Sequence, residues 1–253
     1  MNWIGLYTFI RREIDRMLRV ATQTLVTPWI SALLYIFIFG HVVGRKIDTI
    51  AGVDYIDFVL PGILMMNVIS SAFTHCSSSL HFQRFIRHIE ELLVAPFSPV
   101  EMVVGFAVAG IIRAVIVGIG VLLIALFFGA ANIDHLFLFL FYIVAIAAIF
   151  ALLGMVVGLW AQSFEQLSIL NTFVILPFTF LGGVFYSINM LPGKLQTFAL
   201  LNPFFYFIDG IRYSMIGVSE SNHAVGLAVI GLLGIALWLL VVTLFKRGWR
   251  LRL

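Results

Sequence analysis

Charge is what this chain has least of. Only 11% of its 253 residues are Asp, Glu, Lys or Arg, while 62% are hydrophobic; ordinary soluble domains carry about 25% charged residues. A soluble core of this size could not hide so much apolar surface, so the composition predicts a polytopic membrane protein. The single cysteine, Cys76, excludes an internal disulfide and a cysteine-cluster metal site. The three lysines, Lys46, Lys194 and Lys246, fit no G-x-x-x-x-G-K-[ST] loop, so any ATP hydrolysis belongs to another polypeptide. No H-E-x-x-H is present and the six histidines are scattered, which leaves an intramembrane enzyme little to stand on. A proton- or sodium-coupled carrier usually needs a carboxylate within its spans. The twelve acidic residues here read as loop or span-end residues. No linker, low-complexity run or repeat interrupts the chain, and its charged, amphipathic first twenty residues are not expected to be a cleavable signal.

What is present is a series of long apolar runs. An amphipathic helix is expected over residues 5–20, with Leu6, Phe9, Ile10, Ile14, Met17 and Leu18 as its stripe. Arg11, Arg12, Arg16 and Arg19, with Glu13 and Asp15, cover the rest, a pattern that suits the headgroup layer. Spans follow at about 22–43, 58–79, 98–128, 136–160, 163–181 and 223–245. The second ends in a polar stretch, Ser70 to Ser79, that should face protein or water. Ser98-Pro99-Val100-Glu101 reads as a capping box opening the third span, and Ser163-Phe164-Glu165-Gln166 as one opening the fifth. Between spans five and six, residues 182–222 hold apolar runs too short to cross, broken by Pro192, Gly193 and Pro203. They fit either a re-entrant pair of half-helices or helices lying flat on the outer surface.

Lysine and arginine set the orientation. With the N-terminus in the cytoplasm, ten basic residues lie inside: Arg11, Arg12, Arg16, Arg19, Arg84, Arg87, Lys246, Arg247, Arg250 and Arg252. Only Arg45, Lys46, Lys194 and Arg212 lie outside, so both termini are expected in the cytoplasm.

The charged island on that side is Arg84 to Pro96. Phe85, Ile86, Ile89, Leu92 and Leu93 would form one helical face, and Arg84, Arg87, His88, Glu90 and Glu91 the other, with Arg87 and Glu91 spaced to pair. Pro96 ends it. Such a helix either rests in the headgroups or docks on another protein, and the expectation is a handle by which a partner moves the membrane part. Arg113, about twelve residues into span three, is the one charge near mid-membrane. It could meet an anionic substrate or bond structurally to Asn67, Ser71 or Asn171. Phe178, Phe180, Phe185 and Tyr186 could line a passage or simply pack. Gly154 and Gly158 allow close helix approach, within one subunit or between two. His75 beside Cys76 reads as polar packing rather than a metal site.

Four stretches together resemble the type-2 permease of ATP-binding-cassette (ABC) exporters: Tyr55-x-x-Phe58-x-x-Pro61-Gly62, Ile89 to Pro96, Leu181-Gly182-Gly183-Val184-Phe185-Tyr186, and Leu201-Asn202-Pro203 with Gly210-Ile211-Arg212-Tyr213. The likeness covers essentially the whole chain. It implies an all-α integral membrane fold of six spans in a bacterial inner membrane. Residues 1–21 would be an interface helix and residues 22–253 one transmembrane domain. It also implies a homodimer, with two copies of a cytoplasmic ATPase that binds the ATP and magnesium. Residues 84–96 would be the coupling helix, and residues 182–207 a hairpin closing the outer side. Membrane lipid is an expected partner and nucleic acid is not. The expected function is export of a hydrophobic, amphipathic or glycan-type compound, against the alternatives of an ATP-independent carrier or channel and a non-transporting scaffold.

Overall fold

The structure, a computed structural model, describes residues 2–44, 46–47, 49–130 and 132–251. Arg45 and Arg252, counted above for orientation, lie outside them. The helices are α1 (Trp3–Arg19), α2 (Thr22–Val43), α3 (Tyr55–Phe85), α4 (Ile89–Val94), α5 (Pro99–Phe127), α6 (Leu136–Trp160), α7 (Phe164–Leu181), α8 (Gly193–Leu201), α9 (Pro203–Ile216) and α10 (His223–Lys246). Six of them, α2, α3, α5, α6, α7 and α10, are long and apolar enough to cross a membrane. Two short antiparallel strands, Thr49–Ile50 and Val53–Asp54, form a hairpin between α2 and α3. Ala51 and Gly52 at its turn both have positive φ, as a tight primed turn requires.

The span limits fall where the apolar runs place them, except at α3. That helix continues three residues earlier and six later than the apolar run, because nothing between Ser79 and Phe85 breaks it. At about 1.5 Å per residue its 31 residues measure roughly 45 Å. A hydrocarbon core is roughly 30 Å thick, so α3 projects beyond it.

The bundle is built around α3, which packs against α5, α6 and α9. Burial covers 83% of the most apolar window of α3 but only 11% of that of α2 and 17% of that of α7. In lipid no hydrophobic force draws helices together, so close backbone approach must do it. Glycines permit that here. A Cβ on Gly154 would come within 2.5 Å of the Phe73 carbonyl oxygen, and one on Gly158 within 2.8 Å of the Ser77 oxygen. The Gly154/Gly158 pair thus seats α6 on α3 inside one subunit.

The outer helices are less regular. α2 holds π-helical turns at Thr22–Val26 and Ile36–Val43, and α7 one at Asn171–Ile175. Trp29 of α2 donates from Nε1 to the Val117 carbonyl of α5 at 3.2 Å. The six crossings return the chain to its starting end, where Phe9, Ile89, Leu92, Phe245 and Leu251 share one core cluster. Arg250 there donates to the Trp160 carbonyl at 2.8 Å. The strand hairpin and residues 182–222 lie at the opposite end.

Candidate functional site

At the termini end, residues 84–96 do not form one helix. α3 stops at Phe85, residues 86–88 turn, and α4 is a separate helix of six residues. Arg87 has φ of 59°, a left-handed conformation that no helix can carry through. Arg84 is consequently not on a solvent face. It is 2% exposed and donates from Nη1 to the Gly158 carbonyl at 2.7 Å, holding the end of α6. The expected Arg87–Glu91 pair is replaced by His88 Nδ1 to Glu91 Oε1 at 3.3 Å. Of the expected apolar face, Ile89 and Leu92 are buried, while Phe85 is 63% exposed and Ile86 nearly half exposed. Val94 is 86% exposed. Arg87, Glu90, Glu91 and Pro96 are exposed, so the tip presents apolar and charged groups side by side.

The N-terminal helix buries Leu6, Phe9 and Met17 of the expected stripe, adds Glu13 to it at spacings of 3, 4 and 4, and leaves Ile10 and Ile14 half-buried and Leu18 exposed. Glu13, read from the sequence as part of the polar face, is 1% exposed. Its carboxylate accepts from Ser79 Oγ at 2.6 Å, Gln83 Nε2 at 2.7 Å and Arg16 Nη2 at 2.7 Å. Arg12 donates to Gln83 Oε1 at 3.2 Å, and Arg11 lies 3.9 Å from Asp15. Burial lowers the pKa of the Arg16 guanidinium below its ordinary value, and the Glu13 charge opposes that shift. The spacing of Glu13 on the apolar stripe was the one sequence signal of its role. Ahead of it, Asn2 N donates to Glu101 Oε1 at 2.6 Å, while Glu101 also completes the expected capping box with Ser98. The Phe9 ring meets Phe106 edge-on at 4.9 Å and lies so close to Gly105 that a Cβ there would collide with it. The box expected at Ser163 is not made: Gln166 Oε1 accepts from Gln162 N instead.

Arg113 is 8% exposed, and none of Asn67, Ser71 and Asn171 is its partner. Its Nη2 donates to the Thr24 carbonyl, where the first span begins, at 3.3 Å.

The stretches that carry the resemblance at the opposite end converge in space. Tyr55 donates from its hydroxyl to the Phe185 carbonyl at 3.1 Å. Gly62 faces the Val184 backbone, which a Cβ would approach to 2.9 Å. Arg212 is 0% exposed: it donates to Gly183 O at 2.6 Å and Phe58 O at 3.3 Å, with its guanidinium 3.8 Å over the Phe58 ring. Glu220 lies 3.9 Å from Arg212 and accepts from Ser187 Oγ and from Ile188 N. Asp209 accepts from Glu220 N and from Ser219 and Ser221, tying α9 to the loop before α10. Asn202 caps α9 through Phe204 N and donates to the Phe178 carbonyl at 2.6 Å. Sequence reasoning missed Asp209 and Glu220: the first sits within the apolar α9 and the second in a polar loop, and neither has a local pattern that marks its partners.

The aromatic residues divide. Phe185 stacks on Phe39 at 4.0 Å, against the first span. Phe178 and Tyr186 line an apolar pocket of about 290 Å³ with α8. Burial raises the pKa of the Tyr186 hydroxyl. Among the described residues no group of His, Cys, Asp and Glu is placed to hold a metal ion.

Comparison with known proteins bears on both ends. The family described as ABC-2 type transporter matches residues 5–216. The chain is 37% identical over 252 residues to the inner membrane transport permease YadH of Escherichia coli (strain K12), covering 100% of this chain and 98% of that protein. It is 25% identical to nodulation protein J of Rhizobium leguminosarum bv. viciae, covering 98% of this chain and 95% of the relative. With the nodulation protein J of Rhizobium meliloti (strain 1021) it shares 28% identity over 217 residues, 85% of this chain and 82% of the relative.

Proposed function

The chain belongs to the ABC-2 type transporter family, and from that premise we propose that it exports an amphipathic, hydrophobic or glycan-type compound, worked from the cytoplasm by a separate ATPase. It is the membrane subunit of an ABC transporter and a multi-pass inner-membrane protein. The observation that carries the finer reading is the tip at residues 85–96. Phe85, Ile86 and Val94 stand exposed there among Arg87, Glu90 and Glu91, at the projecting end of α3 and in the segment after it. Apolar side chains ringed by charge fit a groove in a protein partner better than lipid or water.

In this reading α1 is the interface helix, residues 22–253 form one transmembrane domain, and both termini lie in the cytoplasm. Two permeases pair through the sparsely packed α2 and α7, and each carries one ATPase, which holds ATP and magnesium. α8 and α9 re-enter the membrane from outside and close the path there. ATP does work by binding one arrangement of the assembly more tightly than the other. Arg11, Arg12, Arg16 and Arg19 keep α1 in the headgroup layer.

The test is purification from the native membrane with identification of bound proteins, followed by liposome transport with and without the ATPase found. ATP-dependent efflux only with both subunits is expected. Transport by the permease alone, or stimulated hydrolysis without transport, would overturn the proposal.

A further inference from the structure

At the termini end a groove of about 410 Å³ lies between α6, α7 and α10. Val156 and Trp160 come from α6, Leu170 from α7, and Leu240, Leu244 and Trp249 from α10 and the turn after it. Every residue lining it is apolar, and both indoles are exposed. Past α10 the chain folds back on itself. Gly248 and Arg250 have φ of 65° and 51°, and Trp249 N donates to the Leu244 carbonyl at 3.0 Å. Lys246, Arg247 and Arg250 are exposed at this turn, and none of them forms a salt bridge among the described residues. A second hollow of about 450 Å³ opens there, lined by Lys246, Arg247 and Gly248 among others, and no carboxylate lines either space.

The end of α6 adds to the positive charge. Arg250 donates to the Trp160 carbonyl at 2.8 Å, with its guanidinium 5.1 Å from the centre of the Trp249 ring. Arg84 donates to the Gly158 carbonyl from α3. α6 therefore ends between two guanidiniums, an arrangement that suits the negative end of its dipole. A hollow with no polar wall does not hold water, so in a bilayer an acyl chain fills it. The headgroup then decides which lipid stays. Tryptophan sits at headgroup depth, so Trp160 and Trp249 mark the level of the mouth. Three cations without carboxylate partners within five residues favour an anionic headgroup there, by roughly fivefold each.

We propose that an anionic phospholipid of the leaflet beside the chain termini is resident here, with one acyl chain in the groove between α6, α7 and α10 and its phosphodiester against Lys246, Arg247 and Arg250. It is a fixed lipid of the subunit and not its cargo. The inference does not rest on the permease reading, because it needs only a membrane and the geometry of this one corner.

The test uses the purified full chain in bilayers of equal phosphatidylcholine and phosphatidylglycerol with matched acyl chains. Mass spectrometry of the intact protein then counts the lipids it retains. Phosphatidylglycerol should be retained roughly twentyfold over phosphatidylcholine, and the double variant Lys246→Gln, Arg247→Gln should lower that preference roughly tenfold. Val156→Phe fills the groove without touching a charge and should cut retention several-fold. Arg11→Gln removes a cation elsewhere at the same end and should retain lipid as the parent does. Equal retention of the two lipids by the parent overturns the proposal. So does a loss in Arg11→Gln as large as in the double variant, which would mean general attraction to a basic surface. Parent-like retention in Val156→Phe would leave the chain outside the groove and overturn the seat. Lys246 and Arg247 are exposed, so their variant decides the matter even if Val156→Phe fails to fold. No ATPase enters the measurement, and its failure leaves the permease reading standing.

Discussion

The Glu13 carboxylate takes the Ser79 hydroxyl at 2.6 Å, across 66 residues of sequence, and fixes α1 to the projecting end of α3. Removing the carboxylate would strand Gln83 and Arg16 as well. Glu13→Ala should therefore cost roughly 3 kcal/mol, and Ser79→Ala roughly 1 kcal/mol. Thermal unfolding in detergent measures both, and the double variant should fall short of their sum because the two groups share one bond.

Gly154→Val should destabilise the bundle by roughly 1–3 kcal/mol, because its first side-chain carbon would meet the Phe73 carbonyl oxygen. Gly231→Ala is the control, since a Cβ there meets nothing within 4 Å. If the two variants unfolded together, the seating of α6 on α3 would be misassigned.

Arg212→Gln leaves Glu220 without its cation and two carbonyl groups short of a donor. A loss of roughly 3–5 kcal/mol is expected, with faster proteolysis in residues 182–190. Arg212→Lys should recover only part of it, since an ammonium cannot reach Gly183 and Phe58 with a planar fork.

Glu91→Lys should weaken association with the ATPase roughly tenfold while leaving membrane insertion unchanged. Pull-down of the partner alongside membrane fractionation separates the two effects. Unchanged association would count against the tip as the docking surface.

Cys76 is fully buried, which makes introduced cysteines readable against a silent background. In intact cells a membrane-impermeant maleimide should label Asn189→Cys and spare Glu90→Cys. Permeabilisation should expose the second site. The reverse pattern would invert the whole orientation.

The spans were legible because each is an apolar run with its own local stops. Ser98 and Glu101, three residues apart, announce the start of α5, and the structure makes both of their bonds. The polar anchors were not legible, because their partners are remote. Arg84 reads as one more charge on an amphipathic helix until Gly158, 74 residues away, is brought beside it. Arg87 likewise shows no local sign of its left-handed backbone, so the turn that divides residues 84–96 stayed hidden in an unbroken helical pattern. Arg212 counts by position as an outer-loop charge, yet the folding of three separate stretches around it leaves it no solvent at all.

α1 is fastened twice, by the Asn2 amide on Glu101 and by Glu13 on Ser79 and Gln83. Those anchor points are eleven residues apart, roughly 17 Å along the helix, and belong to the two helices that flank residues 86–98. A thrust on that segment cannot shift one flank without swinging the other through α1. With an ATPase docked there as proposed, the rod would serve as a crank, turning a local shove into torque on both membrane helices at once.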